Sequence, residues 1–150
     1  MRRTRFWALG LVLAASVGCS SGVKCVPVSG SVKVNDKPAQ GLLVTLVPTA
    51  GKDDPSARPG GVVGADGTFE LSTYDAATRT AVKGSPPGKY KVILSWIPES
   101  RPGDPVNPNP TGKPPGDKLG GRYLDPERST YEVVVKDGPT KLEPIALTLR

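Results

Sequence analysis

The sequence predicts an all-β protein: an antiparallel, seven-stranded β-sandwich behind a cleaved signal peptide. Three observations carry this. Several short runs alternate apolar and polar residues, the period of a strand with one buried face. Turn residues separate the runs, since Gly (18) and Pro (17) fill almost a quarter of the 150 positions, and no stretch sustains helical spacing. Ahead of them all stand a basic start, a short apolar run and a cysteine, the three-part layout of a secretory signal.

The leader comes first. Arg2, Arg3 and Arg5 precede an apolar run from Phe6 to Val17, broken only by Gly10 and Ser16. A spanning helix needs roughly 20 apolar residues, so about a dozen fits a signal h-region instead. Ser16-Val17-Gly18-Cys19 resembles a bacterial lipobox, in which the cysteine thiol takes a diacylglyceryl group before cleavage; Ser16 stands where that pattern usually has Leu. Ser16 and Gly18 also satisfy the small-residue rule of ordinary signal peptidase. The expected division is a signal peptide over 1–18, a lipidated Cys19 and tether over 19–25, and one domain over 26–150. The expected location is outside the cytoplasm, lipid-anchored to a membrane. Ser20 after the cysteine leaves the outer membrane open as its destination.

Val28, Gly30, Val32 and Val34 alternate with Ser29, Ser31, Lys33 and Asn35, a half-buried strand, and Asn35-Asp36-Lys37-Pro38 supplies the turn. Leu42–Val47 is apolar on both faces and reads as a central strand. Residues 61–64 and 68–74 flank Ala65-Asp66-Gly67, a hairpin signal because glycine takes positive φ cheaply. Asp75–Gly88 reads as a loop with one helical turn at most. Lys89–Trp96 alternates most clearly, with Tyr90, Val92, Leu94 and Trp96 on one face. Ile97–Gly116 then holds seven prolines and three glycines in twenty residues, so a Pro-rich excursion is expected over 97–121. Arg122-Tyr123-Leu124 is a brief strand or a packed loop. Residues 130–136 turn Tyr131, Val133 and Val135 inward, Asp137-Gly138-Pro139 turns the chain, and 142–149 closes it with Ile145, Leu147 and Leu149 on one face.

Composition narrows function. Loss of residues 1–18 removes three arginines and lowers the formal charge from +6 to +3, and no Lys/Arg cluster with interleaved aromatics remains, so nucleic acid is not an expected partner. The chain has no histidine, which removes Ser-His-Asp and Cys-His catalysis and imidazole zinc sites together. Cys19 and Cys25 are too few to close a metal site. If Cys19 is acylated, Cys25 is a lone thiol; if it is not, the two can form a small disulfide ring. Asp53-Asp54 and Asp66 are candidate carboxylates for calcium or acid–base work, and each is better read as a loop or turn residue. Arg58-Pro59-Gly60-Gly61 lacks the helix and Gly-Lys-Ser that a phosphate cradle needs. Trp96 and Tyr90 on one strand face suit sugar stacking, though their shared period with Val92 and Leu94 favours core packing. No cofactor, metal or catalytic residue is expected, and Cys19 is the one expected site, for lipid attachment.

The order of the pieces resembles the carboxypeptidase regulatory-like domain, a transthyretin-like β-sandwich. The matching stretches are Val28-Ser29-Gly30-Ser31-Val32, then Asn35–Gly41 leading into Val44-Thr45-Leu46, then Gly64–Leu71 with its Asp66-Gly67-Thr68-Phe69-Glu70-Leu71, and Gly88-Lys89-Tyr90-Lys91-Val92. The resemblance covers residues 26–150. With the signal and cysteine ahead of one such domain, the layout is similar to small lipoproteins of planctomycete-type bacteria. It implies a fold and a location and no catalytic residue. The functional expectation is a non-catalytic envelope lipoprotein, a structural, adhesion or partner-binding module whose partner is the membrane and an envelope protein or polysaccharide. The alternatives are a secreted carbohydrate- or peptide-binding domain and, less favoured, an enzyme.

Overall fold

The computed structural model describes residues 22–97 and 116–149. Cys19 with its leader, and most of the Pro-rich excursion, lie outside the described residues.

The chain opens on β1 (Val28–Val34), which buries Val28, Gly30, Val32 and Val34 and turns Ser29, Ser31 and Lys33 away. Asn35 and Asp36 take φ of 49° and 63°, the paired left-handed conformations of a two-residue hairpin turn, which short polar side chains tolerate. They fold the chain into β2 (Lys37–Pro38), where proline sits on an edge that needs no further donor. β3 (Leu43–Pro48) follows, then a 3-10 turn at Pro55–Ala57 and β4 (Gly60–Val62). Gly67, at φ 82°, closes the tight turn after β4 with its amide on the Gly64 carbonyl. Beyond it lie β5 (Thr68–Glu70), β6 (Ser72–Asp75), β7 (Thr80–Lys83) and β8 (Gly88–Ser95). After the Pro-rich region come a 3-10 turn at Pro126–Arg128, β9 (Glu132–Val135), β10 (Thr140–Lys141) and β11 (Ile145–Leu147).

These strands make two sheets, one of five built on β1 and one of six in the order β7-β6-β4-β3-β8-β9. Val28, Val32, Phe69, Ile145 and Leu147 from the first meet Val44, Leu46, Tyr90, Val92, Leu94 and Val135 from the second in one buried cluster. Each sheet hides its apolar face on the other, the arrangement of a β-sandwich.

Six expectations are corrected or narrowed. The first sheet is mixed, because β10 and β11 run parallel to β1 while β2 and β5 run antiparallel to it. Seven strands become eleven among the described residues. The run 68–74 breaks at Leu71, since β5 pairs with β1 in one sheet and β6 with β4 and β7 in the other. The loop read at 75–88 hides β7, folded back on β6 by Arg79 at φ 54°; Thr80–Lys83 is too polar and too exposed to alternate visibly. β3 is central, paired with β4 and β8, but its outer face is covered only in part, with Val47 buried and Leu43 41% exposed. Finally, Leu119 is 1% exposed and belongs to the core, so the excursion ends sooner than residue 121.

Candidate functional site

Two places on the sandwich matter for the expected function: where the tether enters it, and where the Pro-rich segment leaves it. The tether enters at the start of β1. Val26 and Ser85 exchange backbone hydrogen bonds at 2.9 and 3.0 Å, the Thr140 amide donates to the Pro27 carbonyl at 2.9 Å, and the Gly84 amide donates to Leu71 at 2.6 Å. Gly84 is at φ 99°, and a Cβ there would lie inside the Val26 carbonyl. Side chains assist: Thr73 Oγ1 donates to the Gly84 carbonyl at 2.8 Å, and Asp75 accepts from the Ala77 amide at 2.9 Å and from the Val23 amide at 3.3 Å. Those amides hold its carboxyl below the usual range, that of Ala77 most strongly. Cys25, a free thiol, is half-buried beside this junction.

The Pro-rich segment leaves from the other end. Gln40, two residues past β2, accepts from Trp96 Nε1 at 3.1 Å, so Trp96 stands near the finish of β1. Seven extended residues separate the two places, roughly 20 Å. The stems are clamped here. The Trp96 amide donates to Asp117 Oδ1 at 2.7 Å, and the Lys118 amide returns to the Trp96 carbonyl at 2.8 Å. Asp117 also accepts from the Leu119 and Gly121 amides at 3.2 and 2.9 Å, so one carboxylate organises three donors. The Lys118 ammonium covers the Trp96 ring at 4.6 Å.

The remaining sequence candidates are scattered and locally engaged. Asp53 pairs with Arg58, whose Nε donates to it at 2.9 Å, and that hydrogen bond holds its carboxyl below the usual range. Asp54 caps the 3-10 turn through Ser56, with the same effect. Asp66 accepts from the Thr68 amide at 2.9 Å and from its hydroxyl, again lowering its carboxyl. Carboxyls held this low are poor general acids near neutrality. Tyr90 is buried with its hydroxyl on the Pro86 carbonyl at 2.8 Å, which makes it core; Trp96 is half-buried under Lys118, which leaves little ring face for a sugar. Among the described residues no three His, Cys, Asp or Glu side chains lie close enough to hold a metal, and no helix is long and apolar enough to cross a membrane. Cys19 lies outside the described residues.

Sequence reasoning passed over Asp75, Gly84 and Asp117. The signal was there for two of them: an Asp two residues before an amide it bonds is the pattern of an Asx turn, present at Asp75-Ala76-Ala77 and Asp117-Lys118-Leu119. Comparisons with family models, curated proteins and solved structures found no match for this chain.

Proposed function

We propose that this chain is a non-catalytic lipoprotein of the cell envelope, anchored through Cys19, whose β-sandwich is a structural, adhesion or partner-binding module. The observation that carries this is the short apolar run ending at Cys19, nine residues before β1 begins. So short a tether keeps the sandwich close to whatever holds Cys19. The geometry supports the reading, because the tether enters one end of the sandwich and the stems of the Pro-rich segment stand at the other, the end turned away from the anchor. A membrane and an envelope protein or polysaccharide are the partners this arrangement serves. The absence of histidine and the local engagement of Asp53, Asp54 and Asp66 favour a binding role over an enzymatic one. The order of Asp66-Gly67-Thr68-Phe69 and Gly88-Lys89-Tyr90 along the chain favours the transthyretin-like class of sandwich.

The test is intact-mass spectrometry of the full-length chain recovered from membrane fractions. A species beginning at Cys19 and carrying a diacylglyceryl group and further acyl chains is expected, since one chain alone anchors marginally. Cys19→Ser should move the protein out of the membrane fraction. An unmodified mature form in the medium would overturn the anchor.

A further inference from the structure

β9 is the last strand of the six-stranded sheet, and its outer edge has no partner among the described residues. In the ladder with β8 the Val92 amide donates to the Tyr131 carbonyl at 2.9 Å. By alternation, Tyr131, Val133 and Val135 turn their backbone groups to β8, while Glu132 and Val134 turn theirs away. Space lies beside that edge, a cleft of about 540 Å³ between β9 and residues 139–145. Val134 projects from the outer face, 53% exposed. An open edge rich in β-branched residues is a template for another strand, and its charges say which strand fits.

We propose that β9 pairs with β9 of a second copy of this chain, antiparallel, about a two-fold axis through Val134. In that register Val134 meets its own counterpart, Val133 meets Val135, and Glu132 meets Lys136, twice by symmetry. The Val134 and Glu132 amides of the two copies form about four hydrogen bonds across the axis. None of these needs the Lys136 amide, which donates to Thr140 Oγ1 at 3.3 Å. A slip by two residues loses both ion pairs. On its own sheet Glu132 lies opposite Lys91, at 3.7 Å, so pairing extends an alternating row of charge along the outer face. The other edge of the same sheet behaves differently: β7 and its turn carry Arg79 and Lys83 and no acid, so a second β7 laid along it meets like charge. A two-fold at β9 therefore closes, giving a dimer and no filament. The joined strands bury less area than a stable interface needs, and the pair is weak in dilute solution.

Covalent trapping reads such a pair. In full-length chain extracted in mild detergent and carrying Cys25→Ser, Val134→Cys places two thiols on residues about 5.5 Å apart at Cα, within disulfide range. Oxidation with copper phenanthroline and air is expected to give disulfide dimer well above the Cys25→Ser parent, which retains Cys19. It should also exceed Val62→Cys at least tenfold, although Val62 is equally exposed at 58%. Adding Glu132→Lys or Lys136→Glu should cut trapping at least tenfold, and both together should restore it. These side chains are exposed, and an unchanged circular dichroism spectrum confirms folding. Trapping equal to Val62→Cys, insensitivity to the single charge reversals, or failure of the double reversal to rescue would each overturn the pairing. A Val134→Cys thiol that neither dimerises nor reacts with a maleimide would mean that another segment of the chain covers the edge, and overturns it too.

Discussion

The two ends of this sandwich are held by different means. Where the tether enters, close backbone pairs make the join, Val26 with Ser85, Pro27 with Thr140 and Leu71 with Gly84, and the side chains of Thr73 and Asp75 support them. Where the Pro-rich segment leaves, side chains do it. Asp117 gathers three amides, Trp96 reaches Gln40, and Asn35 grips Leu149 through both its amide oxygen and its amide nitrogen. A backbone-held end depends on close approach and tolerates no added atom. A side-chain-held end can be loosened one bond at a time. Close packing thus limits sequence change at the entry end, and the far end is the one that sequence change can retune.

The sharpest break in this comparison comes at Gly84. Gly84→Ala must drive a Cβ into the Val26 carbonyl and hold alanine at a φ of 99°, and a loss of about 3 kcal/mol or more is expected. Denaturant unfolding measures it, and a loss under 1 kcal/mol would show that the entry end is not held by backbone contact. At the far end Asp117→Ala strands the amides of Trp96, Leu119 and Gly121, and a loss of about 2 kcal/mol is expected. Asp117→Asn, which keeps one acceptor, should recover part of it.

Acid distinguishes the ends more finely. Asp75 accepts from the Val23 and Ala77 amides at the entry end, and its native carboxyl lies below the usual range. A depressed native value stabilises the fold above the unfolded carboxylate range and loses that contribution as pH falls through the lower, native value. Amide exchange at Val23 and Ala77 is therefore expected to quicken as pH falls through about 4 and below, after correction for intrinsic rates. Asp75→Asn should flatten this dependence, and a profile unchanged in that variant would remove Asp75 from the account. The smallest effect is expected where the chain is longest. Replacing residues 99–115 with a short Gly/Ser linker spares Trp96, Asp117 and Lys118, so Tm should move by no more than about 2 °C. A larger fall would assign that segment a share in the fold.

The alternation of Val28–Val34 and of Tyr90, Val92 and Leu94 was legible because those strands bury one face and wet the other. Asn35-Asp36 was legible because its turn demands positive φ, and so was the turn at Gly67, although β4 and β5 on either side of it enter different sheets and do not form the expected hairpin. β7 and β10 were not, since Thr80–Lys83 and Thr140–Lys141 join their sheets through backbone alone. The parallel sense of β10 and β11 was hidden for a related reason: period two reports which face is buried and says nothing of direction. Of the two ends, the side-chain clamp could have been suspected from Asp117-Lys118-Leu119-Gly120-Gly121, whereas nothing near Gly84 in the sequence names Val26 as its neighbour.

The parallel pairing of β10 and β11 with β1 has a consequence in time. β1 precedes the other described strands, and part of its hydrogen bonding waits for Thr140–Leu147, far along the chain. Asn35 and Leu149 meet across a separation of 114 residues. Contacts this distant close late, because the loop between them must be ordered first. The first sheet therefore stays incomplete until those residues are free to pair, which makes its closure a late step in the folding of the sandwich.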